Sequence, residues 1–423
     1  MNVHGKLSIA FMGVIAAALC LGGIPSAFSA DEVVKIGLNY PETGPYSKQG
    51  LDQRRAAEMA MEEINAAGGM LGKKVQLVYR DTQSKPPVAK ANAVELFDKE
   101  GIQMMLGGSS SGVAIASGKV AKEKKKLFFA TLTYSTETTG EEAHKYLFRE
   151  CYDSGMAARV LADYLKKNFG GKKYFYVTAD YTWGWTTEEA FRKYTGSTDK
   201  EKNPGVLTKL GTTDYKNVLE LAKQAGAEVL VLVLFGKDME IGCKQAHEMG
   251  LKSNMQVVVP NMTLDMAEGG GPEAMEGVIS ATPWYWKSAL EMNNPKAAAF
   301  IKKFEEKYNR YPSTSGASAY TIMHEYKAAV ERAKTFDTDA VIKALEGHKY
   351  VSLKDEQYWR PFDHQSVQTV YAVKIKKAGD VKKSKYGLDY YDIINTMKGE
   401  DAAVTMAEWS AVRAKVGAPV TLE

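Results

Sequence analysis

A chain of 423 residues is longer than one hydrophobic core usually organises, and 45% hydrophobic with 25% charged residues describes a globular rather than a disordered protein. Its 55 basic and 51 acidic side chains leave a net charge of +4, too balanced for a dedicated nucleic-acid binder. Three cysteines and six histidines show no zinc-type spacing, so no metal framework is predicted.

The first thirty residues read as a secretory signal peptide. Lys6 supplies the positive start, "LSIAFMGVIAAALCLGG" the short apolar run, and "IPSAFSA" the small residues before cleavage after Ser29 or Ala30. Cys20 follows bulky Leu19, which argues against a lipid-anchored start. No later apolar run approaches the ~20 residues of a membrane span. A soluble, exported protein of the bacterial periplasm is expected. It keeps Cys151 and Cys243, read as two buried free thiols because Cys243 lies in a predicted helix.

The mature chain then alternates. "VVKIGL" is a strand, and Ala57, Ala60, Met61 and Ile64 mark one face of the following helix. "NAAGG" stops that helix, and "KVQLVY" is the next strand. A helix over 87–100, strand "IQMML", a helix faced by Val113, Ala116 and Val120, and strand "LFFATL" follow. The basic run "KEKKK" reads as the solvated end of that last helix. Beyond Arg149 the pattern restarts: helix 156–169, strand "KYFYVTA", loop "DYTWGW", helix 186–194, and a helix faced by Tyr215, Val218, Leu219 and Ala222. "EVLVLVLF" reads as a central parallel strand. Helix 238–249 and strands "MQVVVP" and "EGVISATP" complete the second set. Helices over 295–308, 315–333 and 338–345 and a late strand "VQTVYAVKI" end the chain. Trp284 and Trp286 alternate around Tyr285 as on one strand face, and are read as packing.

Two rounds of β-α-β-α predict two doubly wound α/β lobes joined by strand-like crossovers. The boundaries drawn are 31–151 with 284–364 for one lobe and 152–283 with 365–423 for the other. In such sheets ligands sit beyond the carboxyl ends of the strands. The loops there, "PETGPYSKQG", "GGSSSG", "TLTYSTET", "DYTWGW", "FGKD" and "PNMTLD", hold hydroxyls, amides and aromatics with few carboxylates. That mixture suits binding a small polar solute better than proton transfer. The turn "LGGSSSGVAIA" admits three readings: a helix cap, an anion site at a helix N-terminus, or the nucleophile elbow G-x-S-x-G with Ser110 attacking. A serine esterase on that pattern would need His348 or His364 as its base, and no "HGGG"-type oxyanion segment precedes the turn.

The ordered set "VKIGLNYPETGPYSKQG", "RRAAEMAMEEINAAGGMLGKKVQLVYRDTQSKP", "LGGSSSGVAIAS", "QAHEMGL" and "RPFDHQ" resembles the leucine/isoleucine/valine-type periplasmic solute-binding proteins of ABC transporters over nearly the whole mature chain. The resemblance implies the type I periplasmic-binding fold, whose lobes close on a ligand, and no enzyme activity or cofactor. It implies a small-molecule solute, a membrane permease as partner, and a monomer. Ser110 and Ser111 would hold a ligand carboxylate, and Thr133 and Tyr134 would complete that end. Trp183 and Phe235 would be aromatic walls from the second lobe, with Tyr46 and Gln49 in the first loop. Amino-acid-binding members carry an acid after the proline of the strand resembling "VVVP"; here the residue is Asn261, which supplies no charge for an amine. A carboxylate without an amine, an amide, or an aromatic acid fits that change, unless Asp180, Asp238 or Asp265 substitutes. A sensor handing its ligand to a signalling receptor would use the same fold.

Overall fold

The computed structural model describes residues 33–422 together with Met1. Apart from Met1, the predicted signal segment lies outside them. Five short strands open the chain: β1 (Val33–Tyr40), β2 (Lys74–Asp81), β3 (Met104–Gly107), β4 (Leu127–Ala130) and β5 (Leu147–Arg149). They form one parallel sheet in the order β2-β1-β3-β4-β5. Helices α1 (Ser47–Ala66), α2 (Pro86–Asp98) and α3 (Ser111–Lys124) connect them.

The second sheet repeats this plan. β6 (Tyr174–Ala179), β7 (Gly205–Thr208), β8 (Val229–Val233), β9 (Gln256–Val259) and β10 (Ile279–Thr282) run parallel in the order β7-β6-β8-β9-β10. Their connections are α4 (Ser154–Phe169), which enters the sheet, then α5 (Thr182–Thr195), α6 (Lys216–Gln224), α7 (Gly236–Glu248), α8 (Leu264–Gly270) and α9 (Pro272–Met275). Every residue of β8 is buried, as expected of a parallel strand covered on both faces.

The chain then returns to the first sheet. α10 (Trp286–Glu291), α11 (Pro295–Tyr308), α12 (Thr314–Ala333) and α13 (Thr338–Leu345) follow, and α12 lies along α1. A small antiparallel sheet of β11 (Lys349–Tyr350), β12 (Gln357–Trp359) and β13 (Ser366–Val367) precedes β14 (Val370–Ile375) and β15 (Tyr391–Met397), which extend the second sheet antiparallel beyond β10. Among the described residues no helix is long and apolar enough to cross a membrane.

Three stretches therefore pass between the sheets, near residues 150–153, 283–285 and 368–369. They are laced together by buried side chains. Lys354 Nζ donates to the carbonyl of Pro283 at 2.6 Å and to that of Thr369, while Gln368 Nε2 donates to Glu150 O at 2.5 Å.

Two local readings need correction. "DYTWGW" is not wholly a loop, because α5 begins at Thr182 and carries Trp183 and Trp185 in its first turn. A Cβ on Gly184 would sit 1.9 Å from Ala179 O, so the glycine serves close helix–strand approach rather than a turn. Trp284 and Trp286 do not share a strand face: β10 ends at Thr282 and Trp286 opens α10. Both are buried packing residues, Trp284 donating to Leu353 O at 2.9 Å and Trp286 stacking on Tyr311 at 3.7 Å. "KEKKK" does end a helix, with Lys125 left-handed at the cap of α3.

Candidate functional site

In each sheet the strand order reverses beside its first strand, between β1 and β3 and between β6 and β8. Crevices open at the carboxyl ends of strands at such reversals. The loops leaving β1, β3, β4, β6 and β8 meet there.

The first sheet contributes the serine turn. Gly107 and Gly108 have φ of 135° and 81°, and a Cβ on Gly107 would lie 2.2 Å from Asn39 O, so only glycine carries the chain out of β3 here. Ser110 is extended and caps α3, its Oγ accepting from Val113 N at 3.4 Å. Ser111 Oγ accepts from Ser135 N at 3.0 Å and from Thr133 Oγ1 at 3.3 Å, which fastens the segment after β4 against the turn. Ser109 Oγ is buried and has no partner.

The second sheet contributes aromatic rings. Phe235, at the cap of α7, meets three rings edge-on: Tyr46 at 5.5 Å, Tyr134 at 5.8 Å and Trp183 at 5.7 Å between centroids. Tyr181 OH lies 3.0 Å from Tyr46 OH. Ser109, Ser110, Ser111, Leu132 and Tyr134 from one side, and Tyr181, Trp183 and Phe235 from the other, line a residual cavity of about 10 Å³, room for roughly one water molecule. This is below the ~300–1,000 Å³ typical of drug-sized ligands. The lining holds no charged side chain, and burial raises the phenols of Tyr134 and Tyr181 well above their usual range, keeping both neutral. Trp183 Nε1 is buried without a partner, so two donors from opposite sides, Ser109 Oγ–H and Trp183 Nε1–H, are unspent around one small apolar space. A buried donor left unpaired costs about 1–3 kcal/mol, which a hydrogen-bond acceptor in the cavity would recover.

The sequence-derived candidates divide accordingly. Ser110, Ser111, Tyr134, Trp183 and Phe235 line the cavity, and Tyr46 backs Phe235. Thr133 turns its hydroxyl to Ser111 and Thr138. Gln49 donates from Nε2 to Asp265 across the seam between the sheets. Asn261 lies beneath the cavity wall: Nδ2 donates to Tyr152 OH at 3.0 Å and Oδ1 accepts from Ser154 Oγ at 3.4 Å, while the Tyr152 ring packs 5.1 Å from that of Tyr134. Asp180 accepts from Trp185 Nε1 at 3.0 Å, and Asp238, which burial pushes up to about 6, accepts from Gly211 N at 2.9 Å; neither lines the cavity.

Sequence reasoning passed over Ser109, Leu132, Tyr181 and Arg149. Arg149 is fully buried at the end of β5. Its Nη1 donates to the carbonyls of Ser135 and, at 3.4 Å, Thr133, and its Nη2 to Thr139 Oγ1 at 2.5 Å and Asp153 Oδ2 at 2.9 Å. It therefore shapes the segment that carries Tyr134. A three-residue strand has no readable period, so nothing in the sequence marked it.

The esterase geometry is not formed. Ser110 Oγ serves the helix cap, whereas His364 pairs with Glu346 at 3.0 Å and stacks on Phe148 at 3.8 Å, and His348 faces Glu325 at 3.8 Å. Cys151 and Cys243 are both free and buried, and burial pushes each thiol up to about 12. A thiol reagent at neutral pH is expected to leave both unmodified in the folded mature chain, which lacks Cys20, and to count two after denaturation; one fast-reacting thiol would contradict their burial.

Known proteins match this architecture. A family model described as periplasmic binding protein matches residues 33–380. A "Leu/Ile/Val-binding protein homolog 3" of Brucella melitensis is 28% identical over 357 residues, covering 82% of this chain and 90% of the relative. A periplasmic binding protein from Burkholderia mallei superposes with a TM-score of 0.82 at 27% identity, covering 89% of this chain and 98% of that one. A branched chain amino acid ABC transporter periplasmic ligand-binding protein from Burkholderia xenovorans gives 0.76 at 27% identity, with coverages of 89% and 98%. These similar proteins are transport binding proteins rather than enzymes, and the family's name places its members in the periplasm. With the family model spanning the first sheet, every strand of the second but β15, and the site between them, the chain belongs to the periplasmic binding protein family.

Proposed function

We propose that this protein captures a small carboxylate-bearing solute, with an apolar or aromatic body, between two closing lobes and delivers it as a monomer to the permease of an ABC importer. The lobes comprise 31–151 with 284–364 and 152–283 with 365–423, after removal of the signal peptide at Ser29 or Ala30. The observation that carries this reading is the pair of unspent buried donors, Ser109 Oγ and Trp183 Nε1, carried by residues that line an uncharged aromatic cavity from its two sides beside the N-terminus of the 14-residue α3. A helix N-terminus favours an anion, and the aromatic rings provide apolar burial for its body. The names of similar proteins point to leucine, isoleucine or valine. Asn261, neutral and engaged with Tyr152 and Ser154, offers no charge to an amine, which supports an acid without one. A micromolar Kd needs about 8 kcal/mol. Hydrogen bonds to a charged group contribute ~1.5–3 kcal/mol each, so two or three with ring burial reach that figure.

The test is a thermal-shift screen of the mature chain against short carboxylates, aromatic acids, amides and amino acids. A carboxylate at a hundred times its Kd stabilises by about 2.7 kcal/mol and stands out. No shift with any acid contradicts the reading. Ser109→Ala is expected to weaken the best acid at least tenfold, or about 1.4 kcal/mol, without lowering stability. Ser110→Ala mixes the same question with loss of a helix cap worth ~1 kcal/mol. Unchanged calorimetric affinity in the Ser109 variant would remove that hydroxyl from the site.

A further inference from the structure

One pair of side chains facing each other across the cleft is left half-satisfied on both sides. Gln49, in the first turn of α1, donates from Nε2 to Oδ2 of Asp265, in the first turn of α8. Each residue is 1% exposed. The remaining atoms of the pair, Gln49 Oε1 and Asp265 Oδ1, are both buried and both without a partner. An ionised carboxylate only accepts, so it makes a single bond to one edge of an amide and leaves the amide carbonyl unmet. A carboxylic acid makes two: it accepts from the amide N–H and donates its own O–H to the amide oxygen. One proton supplies the donor that both orphaned atoms lack.

We infer that the two lobes are latched by a carboxylic acid–amide pair, in which Asp265 is protonated in the closed form and donates from Oδ1 to Gln49 Oε1 while accepting from Nε2 at Oδ2. The inference rests on the closing-lobe reading above. The surroundings favour the proton. Burial and then the carboxylate of Asp52, on α1, push Asp265 up to about 7. Asp52 is itself held by Ser313 N at 3.0 Å and Arg55 at 3.3 Å. Arg310, ahead of α12, opposes the shift and is paired with Glu268 of α8 at 3.0 Å. The Thr263 hydroxyl and the backbone N–H of Asp265 also favour the charged form and oppose the shift, and Tyr391 of β15 and Tyr134 lie near the carboxyl with phenols kept neutral by burial. Lys48 and Glu240, at 3.0 Å, form the neighbouring ion pair on the same seam.

Opening separates Asp265 from Gln49 and returns it to water, where an aspartate titrates near ~3.9. Closing then takes up one proton from solvent. The closed state has the higher pKa, so protonation favours it below about pH 7, and the advantage fades as pH rises through that value. Asp265→Asn keeps a two-point pair, amide with amide, that needs no proton.

The experiment uses spin labels on the mature chain at Val94→Cys and Leu221→Cys, exposed positions on α2 and α6. Pulsed dipolar distances are recorded at about pH 5.5 and about pH 8.5, without solute and with the best acid from the screen. The closed-to-open ratio of the otherwise native chain is expected to fall at least tenfold over that range, and the ratio in Asp265→Asn to stay constant. Gln49→Met, which removes the amide but leaves Asp265 to be buried on closing, is expected to keep the pH response and to lower the closed-to-open ratio at both pH values. Two distances whose ratio ignores pH in the native chain, or a pH response that survives in Asp265→Asn, overturns the latch and leaves the binding reading intact. A single unchanging distance with every solute removes the closing-lobe reading itself.

Discussion

Replacing Arg149 with alanine is expected to destabilise the mature chain by about 3–5 kcal/mol, the range found when one partner of a buried ion pair is removed. The guanidinium is 0% exposed and distributes its donors over four segments. Nε donates to Gln365 Oε1 at 2.5 Å, Nη1 to the carbonyls of residues 133 and 135, and Nη2 to Thr139 and Asp153. Truncation leaves the Asp153 carboxylate, itself 4% exposed, without its cation, although that carboxylate must still cap α4 through Met156 N at 2.8 Å. It also frees two carbonyls that position Tyr134. Arg149→Lys restores the charge but not the planar fork and is expected to fall between the two. Urea denaturation of the three chains measures this. An alanine variant within about 1 kcal/mol of the native chain would contradict the organising role given to Arg149.

The second large effect falls on affinity. Trp183→Ala is expected to weaken the best acid from the screen by at least 30-fold, about 2 kcal/mol, with little loss of folding cooperativity. The indole is 2% exposed, packs 5.7 Å from Phe235 and 5.9 Å from Tyr181, lines the cavity, and carries an unpartnered buried Nε1. Alanine removes a wall and a donor together. Trp183→Phe keeps a smaller aromatic wall, removes the donor, and is expected to lose at least about tenfold, the lower share of one hydrogen bond to a charged group, but less than the alanine variant. Calorimetric titration separates the two contributions. Native affinity in the alanine variant would take Trp183 out of the site.

The parallel strands were legible because burial on both faces turns them into apolar runs. "EVLVLVLF" is the clearest, and it became the fully buried β8. β7 has no such run, since edge strand "GVLT" leaves Leu207 53% exposed, and β5 is only three residues long. The serine turn was visible as glycine and hydroxyls between a strand and a helix. Which hydroxyl is left free was not visible, because it depends on backbone geometry: extended Ser110 spends its oxygen on the cap, Ser111 holds the 133–135 segment, and Ser109 is left over. Asn261 occupies the position after the strand-ending proline that suggested contact with an amine, yet both ends of its amide are taken by Tyr152 and Ser154. That layering comes from the crossover at 150–153 packing against β9's exit, a long-range contact that no local pattern carries. The same holds for α12 lying on α1, which returns distant sequence to the first sheet.

A crystal structure of the mature chain with the best acid from the screen tests the central claim most directly. The account predicts the carboxylate within hydrogen-bond distance of Ser109 Oγ and Trp183 Nε1 at the head of α3, with the body of the solute against Phe235 and Tyr134. A solute bound elsewhere, for example in the open groove beside Trp185 and Leu207 at the β7 edge, would contradict it.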